Sequence, residues 1–322
     1  MKAIALFSGG LDSILAVKLI QMQGIDVLGV TFETPFFNAR KAIAAASQIG
    51  LTLRVVDITE DHLVMLRAPR YGYGKNLNPC IDCHAMMLRK SGEFMSAWNA
   101  DFLITGEVLG QRPMSQTKQS LYVVAKYSGY PDYILRPLSA KLLPITKPER
   151  EGMVDRERLY DIQGRGRHRQ MEAALEFGIG GYSAPAGGCL LTDPMFAKRL
   201  KELFSHNDFS IPSIHLLKAG RHFRINDRTK VIVGRNEADN GLIEQHAQDV
   251  DSVIHMTDYP GPTTLVPGGG TESEIDVAAS LCALYSDAPK GAMVRLNCLQ
   301  GGRTLMIETV SAEKIQAAQW II

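Results

Sequence analysis

Residues 8–13 read Ser-Gly-Gly-Leu-Asp-Ser and stand between a short apolar run and an amphipathic segment. At such a strand-to-helix junction, free backbone N–H groups and the positive end of the helix dipole favour a bound anion. Gly9 and Gly10 admit phosphate close to the backbone, Ser8 and Ser13 can donate hydroxyl hydrogen bonds, and Asp12 is placed to hold the magnesium that neutralises pyrophosphate. The lysine of an ordinary P-loop is missing. That suits cleavage between the α- and β-phosphates better than γ-phosphate transfer. A Gly-rich turn without a ligand is the competing structural role.

The second chemical feature is sulfur. Asn78-Pro79-Cys80-Ile81-Asp82-Cys83-His84 leads into a helical pattern, and Cys189 follows Pro185-Ala186-Gly187-Gly188 roughly a hundred residues later. Thiolates at a helix start are expected to have lowered pKa and to bind soft metals. Cys80, Cys83 and Cys189 together can hold three irons of a [4Fe–4S] cluster and leave the fourth iron open to hydrosulfide. Three alternatives stay open. Zinc can use Cys80, Cys83, His84 or Cys189; CxxCH is also a haem-attachment pattern; and Cys189 can carry a persulfide that Cys80 or Cys83 releases as a disulfide. Cys282 and Cys298 lie in apolar patterns and are expected in the core.

The elements that must position these groups alternate. Strand patterns at 2–7, 26–32, 52–57, 100–106 and 133–135 are interleaved with helical patterns at 13–23, 38–49 and 82–98. This order predicts an α/β, doubly wound parallel sheet with helices on both faces. Residues 147–177 read as charged and helical, with a basic knot at Arg165, Arg167, His168 and Arg169 that is expected to track an RNA phosphate backbone unless it is a solvated helix face, and a Gly/Pro-rich stretch covers 178–188. Beyond it, strand patterns at 222–225, 230–233 and 252–256, helical runs at 238–249 and 274–285, and a hairpin at 293–299 with 304–308 predict a second, smaller α+β domain. The expected division is 1–145, a basic connecting segment at 146–212 carrying the third cysteine, and 213–322.

Composition narrows the classes. The 322 residues are 45% hydrophobic and 21% charged with a net charge of +1, so any nucleic-acid contact must come from local patches. Five cysteines, an odd number without a signal-peptide core, argue against an extracellular disulfide framework, and no apolar run reaches membrane-span length. A cytoplasmic protein is expected.

On these residues, Ser8 to Ser13 resembles the pyrophosphate loop of the N-type ATP pyrophosphatases. The resemblance implies that Ser8, Gly9, Gly10, Leu11, Asp12 and Ser13 contact ATP and that AMP and pyrophosphate are formed; it places Thr31 and Phe32 by the adenine and ribose. Thr105-Gly106-Glu107-Val108-Leu109-Gly110-Gln111, then Ser115-Gln116-Thr117 and Arg136-Pro137-Leu138, resemble segments of the tRNA 4-thiouridine synthases in the same order. Thr105, Gly106 and Gln111 would face the nucleotide crevice. The CxxC with a later cysteine is similar to iron–sulfur-dependent tRNA thiolases, including forms of the 2-thiouridylase group.

Val231-Ile232-Val233-Gly234-Arg235-Asn236, with Asn240, His255, Asp258, Pro260 and Gly261, resembles the NFACT-R domain, a proposed RNA-binding module. Arg235 and Asn236, together with His222 and Arg224, are expected to reach phosphate or base edges, unless Gly234 and Asn236 merely make a turn. The thiouridine synthases carry RNA-binding modules ahead of their loop; here the first strand starts at Lys2, so RNA recognition is expected from the C-terminal end.

The expected function is ATP-dependent tRNA uridine thiolation, with ATP, Mg2+ and a [4Fe–4S] cluster as cofactors. The expected partners are tRNA, sulfide or a persulfide donor protein, and a second copy in a homodimer. Two alternatives are a sulfurating or amidating enzyme on a small molecule, and a non-catalytic RNA-binding factor regulated by nucleotide.

Overall fold

The computed structural model describes residues 1–182 and 188–322, so Pro185, Ala186 and Gly187, quoted above, lie outside the described residues. Two compact units divide at Thr192 and Asp193. Residues 146–192 lie with the first unit and 193–212 with the second.

The first unit alternates β1 (Lys2–Leu6), α1 (Leu11–Gln21), β2 (Asp26–Glu33), α2 (Arg40–Ile49), β3 (Leu53–Asp57), α3 (Thr59–Arg67), α4 (Cys80–Ala97), β4 (Phe102–Thr105), α5 (Lys118–Ser128) and β5 (Ile134–Leu135). The sheet order is β3-β2-β1-β4-β5, and every pairing is parallel. Period-two alternation along β1 explains the two covered faces. Ala3 and Ala5 join Leu11, Ile14 and Leu15 in one apolar layer, while Ile4 joins Val30, Leu88, Leu103 and Val124 in the other. The chain reverses its direction of strand addition between β1 and β4. In an open parallel sheet, the crevice at that switch point is where ligands bind.

The 147–177 run, expected to be charged and helical, is helical only in part. It holds only α6 (Lys147–Arg150), a single 3-10 turn and α7 (His168–Glu176). Apolar anchors explain the break: Val154, Leu159 and Ile162 lie in the same layer as α1, so the charged residues between them decorate a strap laid over the domain. α7 then packs against α1 through Ala173 and Ala174.

The second unit carries α8 (Pro194–Ser205), α9 (Ile211–Leu216), β6 (Arg221–Arg224), β7 (Lys230–Val233), α10 (Glu237–His246), β8 (Ser252–Met256), β9 (Thr264–Val266), α11 (Glu272–Leu284), β10 (Met293–Gln300), β11 (Arg303–Val310) and α12 (Lys314–Trp320). Its antiparallel sheet runs β11-β10-β8-β9-β7-β6. Cys282 and Cys298 are fully buried with α11 and the inner face of β10, in the core role expected of them. Among the described residues, no helix is long and apolar enough to cross a membrane.

Candidate active site in the first unit

The phosphate loop stands where the switch point requires it, after β1 and at the start of α1. Gly9 takes φ +73°, and a Cβ there would lie 2.5 Å from the Lys41 carbonyl oxygen, so the loop is laid directly on the start of α2. Ser13 Oγ donates to the Gly10 carbonyl at 2.8 Å, and the Gly10 N–H donates to Ser8 Oγ at 3.4 Å. These bonds shape the turn around the unpaired first-turn amides of α1.

The loop after β4 closes over it. A Cβ on Gly106 would lie 2.5 Å from the Ser13 nitrogen and 2.6 Å from the Asp12 carbonyl carbon, an approach open only to glycine. Gln111 Nε2 then donates to Asp12 Oδ2 at 3.1 Å. Burial raises the Asp12 carboxyl above its ordinary range, against the opposing influence of Arg167, the Gln111 amide, Arg112 and the Gln170 amide. Asp12 Oδ1 is buried with no hydrogen-bond partner. An orphaned carboxylate oxygen in a polar crevice fits a divalent cation.

Thr31 and Thr105 are buried near the strand ends, and Thr105 Oγ1 accepts the Glu107 N–H at 3.3 Å. Phe32 is buried, 4% exposed. Its side chain is committed to the apolar layer with Ile4, Val30 and Met86, because the pleat turns it away from Thr31.

The cysteines belong to the same unit. Cys80 and Cys83 occupy the first turn of α4, and Asn78 Nδ2 donates to Cys80 Sγ at 3.3 Å. Asn76 Nδ2 donates to the Thr192 carbonyl at 2.7 Å, and Thr192 Oγ1 donates to the Cys189 carbonyl at 2.7 Å, so the loop before CxxC grips the segment carrying the third cysteine. None of the three forms a disulfide. For Cys83 the lowered thiol pKa expected at a helix start is reversed. Burial pushes the Cys83 thiol far above its usual range, helped by Cys189 and Cys80, and burial pushes Cys189 up to about 11. Desolvation outweighs the helix dipole here. The mutual influence of the three thiols gives a soft donor set suited to a thiophilic metal. Among the described residues, however, no three His, Cys, Asp or Glu side chains already stand as a metal-binding group, so binding would have to draw them together and displace their protons.

One connection escaped the sequence reading. Glu107, 4% exposed, accepts from Arg136 Nε at 2.9 Å and meets His84 Nδ1 at 2.9 Å. Burial alone would raise its pKa, but Arg136 and His84 hold it down to about 2. His84 adjoins Cys83 and Glu107 adjoins Gly106, so one buried carboxylate ties the cysteine helix to the loop over Asp12. The signal was present in the Thr105 to Gln111 and Arg136 to Leu138 segments, whose partnership only the folded sheet reveals.

The basic knot is divided. Arg165 and His168 are exposed, and Arg169 pairs with Asp161 at 2.6 Å. Arg167 turns inward, and its Nε is buried without a partner. In the second unit, Asn236 caps α10 by accepting the Asp239 N–H at 2.9 Å, and Arg235 Nε pairs with Asp239 at 2.6 Å. His222 is 0% exposed with Nε2 2.8 Å from the Ala219 carbonyl, and Arg224 is held by Glu202. The expectation that His222 reaches RNA is therefore incorrect, because its inward position on β6 seals it in the core.

Residues 1–142 match the family model described as "Thiamine biosynthesis protein (ThiI)". Residues 220–321 match the one described as "NFACT protein RNA binding domain". Three solved structures are similar at low scores. A 4-thiouridine synthetase–RNA complex with bound ATP is 20% identical over 67% of this chain and 52% of its own, at TM-score 0.36. A predicted subunit of tRNA methyltransferase from Methanocaldococcus jannaschii is 15% identical over 46% and 69%, at 0.31. The C-terminal part of the fibronectin/fibrinogen-binding protein from Streptococcus suis is 18% identical over 32% and 50%, at 0.30. The chain thus spans about half the length of the first and third of these structures.

Proposed function

From a chain that joins a ThiI-type domain to an NFACT-type RNA-binding domain, we propose an ATP-dependent tRNA sulfurtransferase. The observation that supports it is the Glu107 link: one buried carboxylate, next in sequence to Gly106, meets both Arg136 and His84, the neighbour of Cys83. A nucleotide-regulated binding factor has no use for that arrangement.

In this reading the Ser8 to Ser13 loop cradles ATP with its backbone amides, and Asp12 faces the magnesium. A uridine carbonyl oxygen attacks the α-phosphate; the bond to pyrophosphate breaks, and the base is left as an O-adenylate. Sulfur then attacks that carbon, and AMP leaves with the oxygen. Cys80, Cys83 and Cys189 would hold a [4Fe–4S] cluster, which when bound would supply the sulfur. Exposed Arg165 and the C-terminal domain, including Arg235, would hold the tRNA phosphates, with His168 and Arg169 beside them. Asn236 is offered there as the cap that shapes the Arg235 turn.

The test is anaerobic purification with iron and sulfide analysis, followed by pyrophosphate release and thiolation assays on bulk tRNA with ATP. Iron-loaded protein that thiolates tRNA, and loses both iron and activity in Cys189→Ala, is expected. An iron-free wild type that still thiolates would replace the cluster with a Cys189 persulfide resolved by Cys80 or Cys83. No pyrophosphate release with tRNA present would remove the enzyme altogether.

A further inference from the structure

Residues 143–192 lie beyond the part of the chain that matches the ThiI-type domain, yet they reach the phosphate loop. Leu109 and Gln163 form a parallel bridge, and the Gly164 N–H donates to the Leu109 carbonyl at 2.8 Å. Ser139 Oγ fastens both sides, accepting the Leu109 N–H at 2.9 Å and donating to the Ile162 carbonyl at 2.7 Å. Gly110 and Gly164 are close enough that a Cβ on Gly110 would lie 3.4 Å from the Gly164 nitrogen. This strap delivers the start of α7 to the loop that carries Gln111, and α7 itself lies along α1. Two side chains at its start are then left buried with unmet hydrogen-bonding capacity.

Gln170 is 0% exposed, and its side chain acts on the Asp12 carboxylate; neither of its amide atoms makes a hydrogen bond of full geometry, and Arg167 Nε, Gln111 Oε1 and Asp12 Oδ1 are likewise buried without one. Orphaned buried polar atoms are costly to leave unpaired, so a group of them around one carboxylate marks a place built for a ligand. Its chemistry is mixed. Arg167 and Gln170 offer N–H donors that require an acceptor, while Asp12 Oδ1 and Gln111 Oε1 offer oxygens that require a cation or a donor. A metal-bound phosphate meets both demands.

We infer that Arg167 and Gln170 complete the phosphate subsite of the nucleotide, with the Arg167 guanidinium on the pyrophosphate portion and Asp12 on its metal. The assignment rests on the ATP reading above and moves Arg167 from the RNA face to the nucleotide. Gln170 holds a phosphate oxygen through its amide N–H. Arg112, which also faces Asp12, adds positive charge at the mouth.

The experiment is equilibrium binding of three probes in the presence of magnesium, ATP, pyrophosphate and AMP, to the full chain. Wild type, Arg167→Gln and Arg167→Lys are compared. Loss of a charge-assisted hydrogen bond should weaken ATP and pyrophosphate by on the order of tenfold to a hundredfold in Arg167→Gln, with AMP changed less than about threefold. Arg167→Lys should recover part of the pyrophosphate affinity. Equal losses for AMP and pyrophosphate, or ATP binding within about twofold of wild type in Arg167→Gln, overturn the subsite. A wild type that binds none of the three probes overturns the ATP reading itself, and the subsite with it.

Discussion

Arg136 Nε lies 2.9 Å from Glu107 Oε2, the two side chains being 7% and 4% exposed. Removing one member of such a pair strands the other charge in a low-dielectric site, which costs about 3–5 kcal/mol. Glu107→Gln is therefore expected to lower unfolding free energy by that amount in urea denaturation, although the substitution is isosteric. A loss below about 1 kcal/mol would mean that the pair is solvated and not structural.

The same carboxylate sets an acid limit. Its pKa falls from 4.5 to about 2 on folding, so it contributes stability above pH 4.5 that disappears as pH drops toward 2. Between those values the wild type should lose stability faster than Glu107→Gln. Parallel stability–pH curves for the two proteins would contradict the assignment.

Cys189, pushed up to about 11, is expected to react slowly with iodoacetamide at neutral pH in metal-free protein. Its labelling rate should climb roughly tenfold per pH unit between pH 8 and 10 as thiolate forms. A midpoint near that of an ordinary free cysteine would show that the site is open to water.

Gly106→Ala drives a methyl group into the backbone of Asp12 and Ser13. Overpacking of this kind costs about 1–3 kcal/mol. Because the clash falls on the phosphate loop, ATP affinity should fall along with the melting temperature. Undisturbed nucleotide binding would argue that the loop contributes little to the site.

Asn236→Ala should destabilise the second unit by about 1 kcal/mol through loss of the α10 cap, and Asn236→Ser should restore it. If Asn236→Ser regains stability but not RNA affinity, the asparagine touches RNA as well as capping the helix.

The parallel order of the first unit and the phosphate loop were legible because both are written locally, in strand and helix periods and in six consecutive residues. The partition of the basic knot was not. Arg165, Arg167 and Arg169 alternate along the sequence without any sign of which one turns inward, a choice made by the Leu109–Gln163 bridge from another part of the chain. The expectation for the Cys83 thiol failed for a similar reason. Helix position is readable in sequence, whereas burial by a loop arriving about a hundred residues later is not. The Glu107–Arg136 pair is invisible until β4 and β5 become neighbours.

Gly106 and Glu107 are consecutive, yet one packs on the phosphate loop and the next holds His84 beside the cysteines. Their peptide bond is therefore a fixed ruler between two chemistries. The outer turn near Arg112 and Met114 is exposed and can absorb a length change. A single residue inserted between Gly106 and Glu107 cannot be absorbed, since it would displace either the glycine from Asp12 or the carboxylate from His84. Both contacts hold only while that spacing is kept, whatever the length of the surrounding loops.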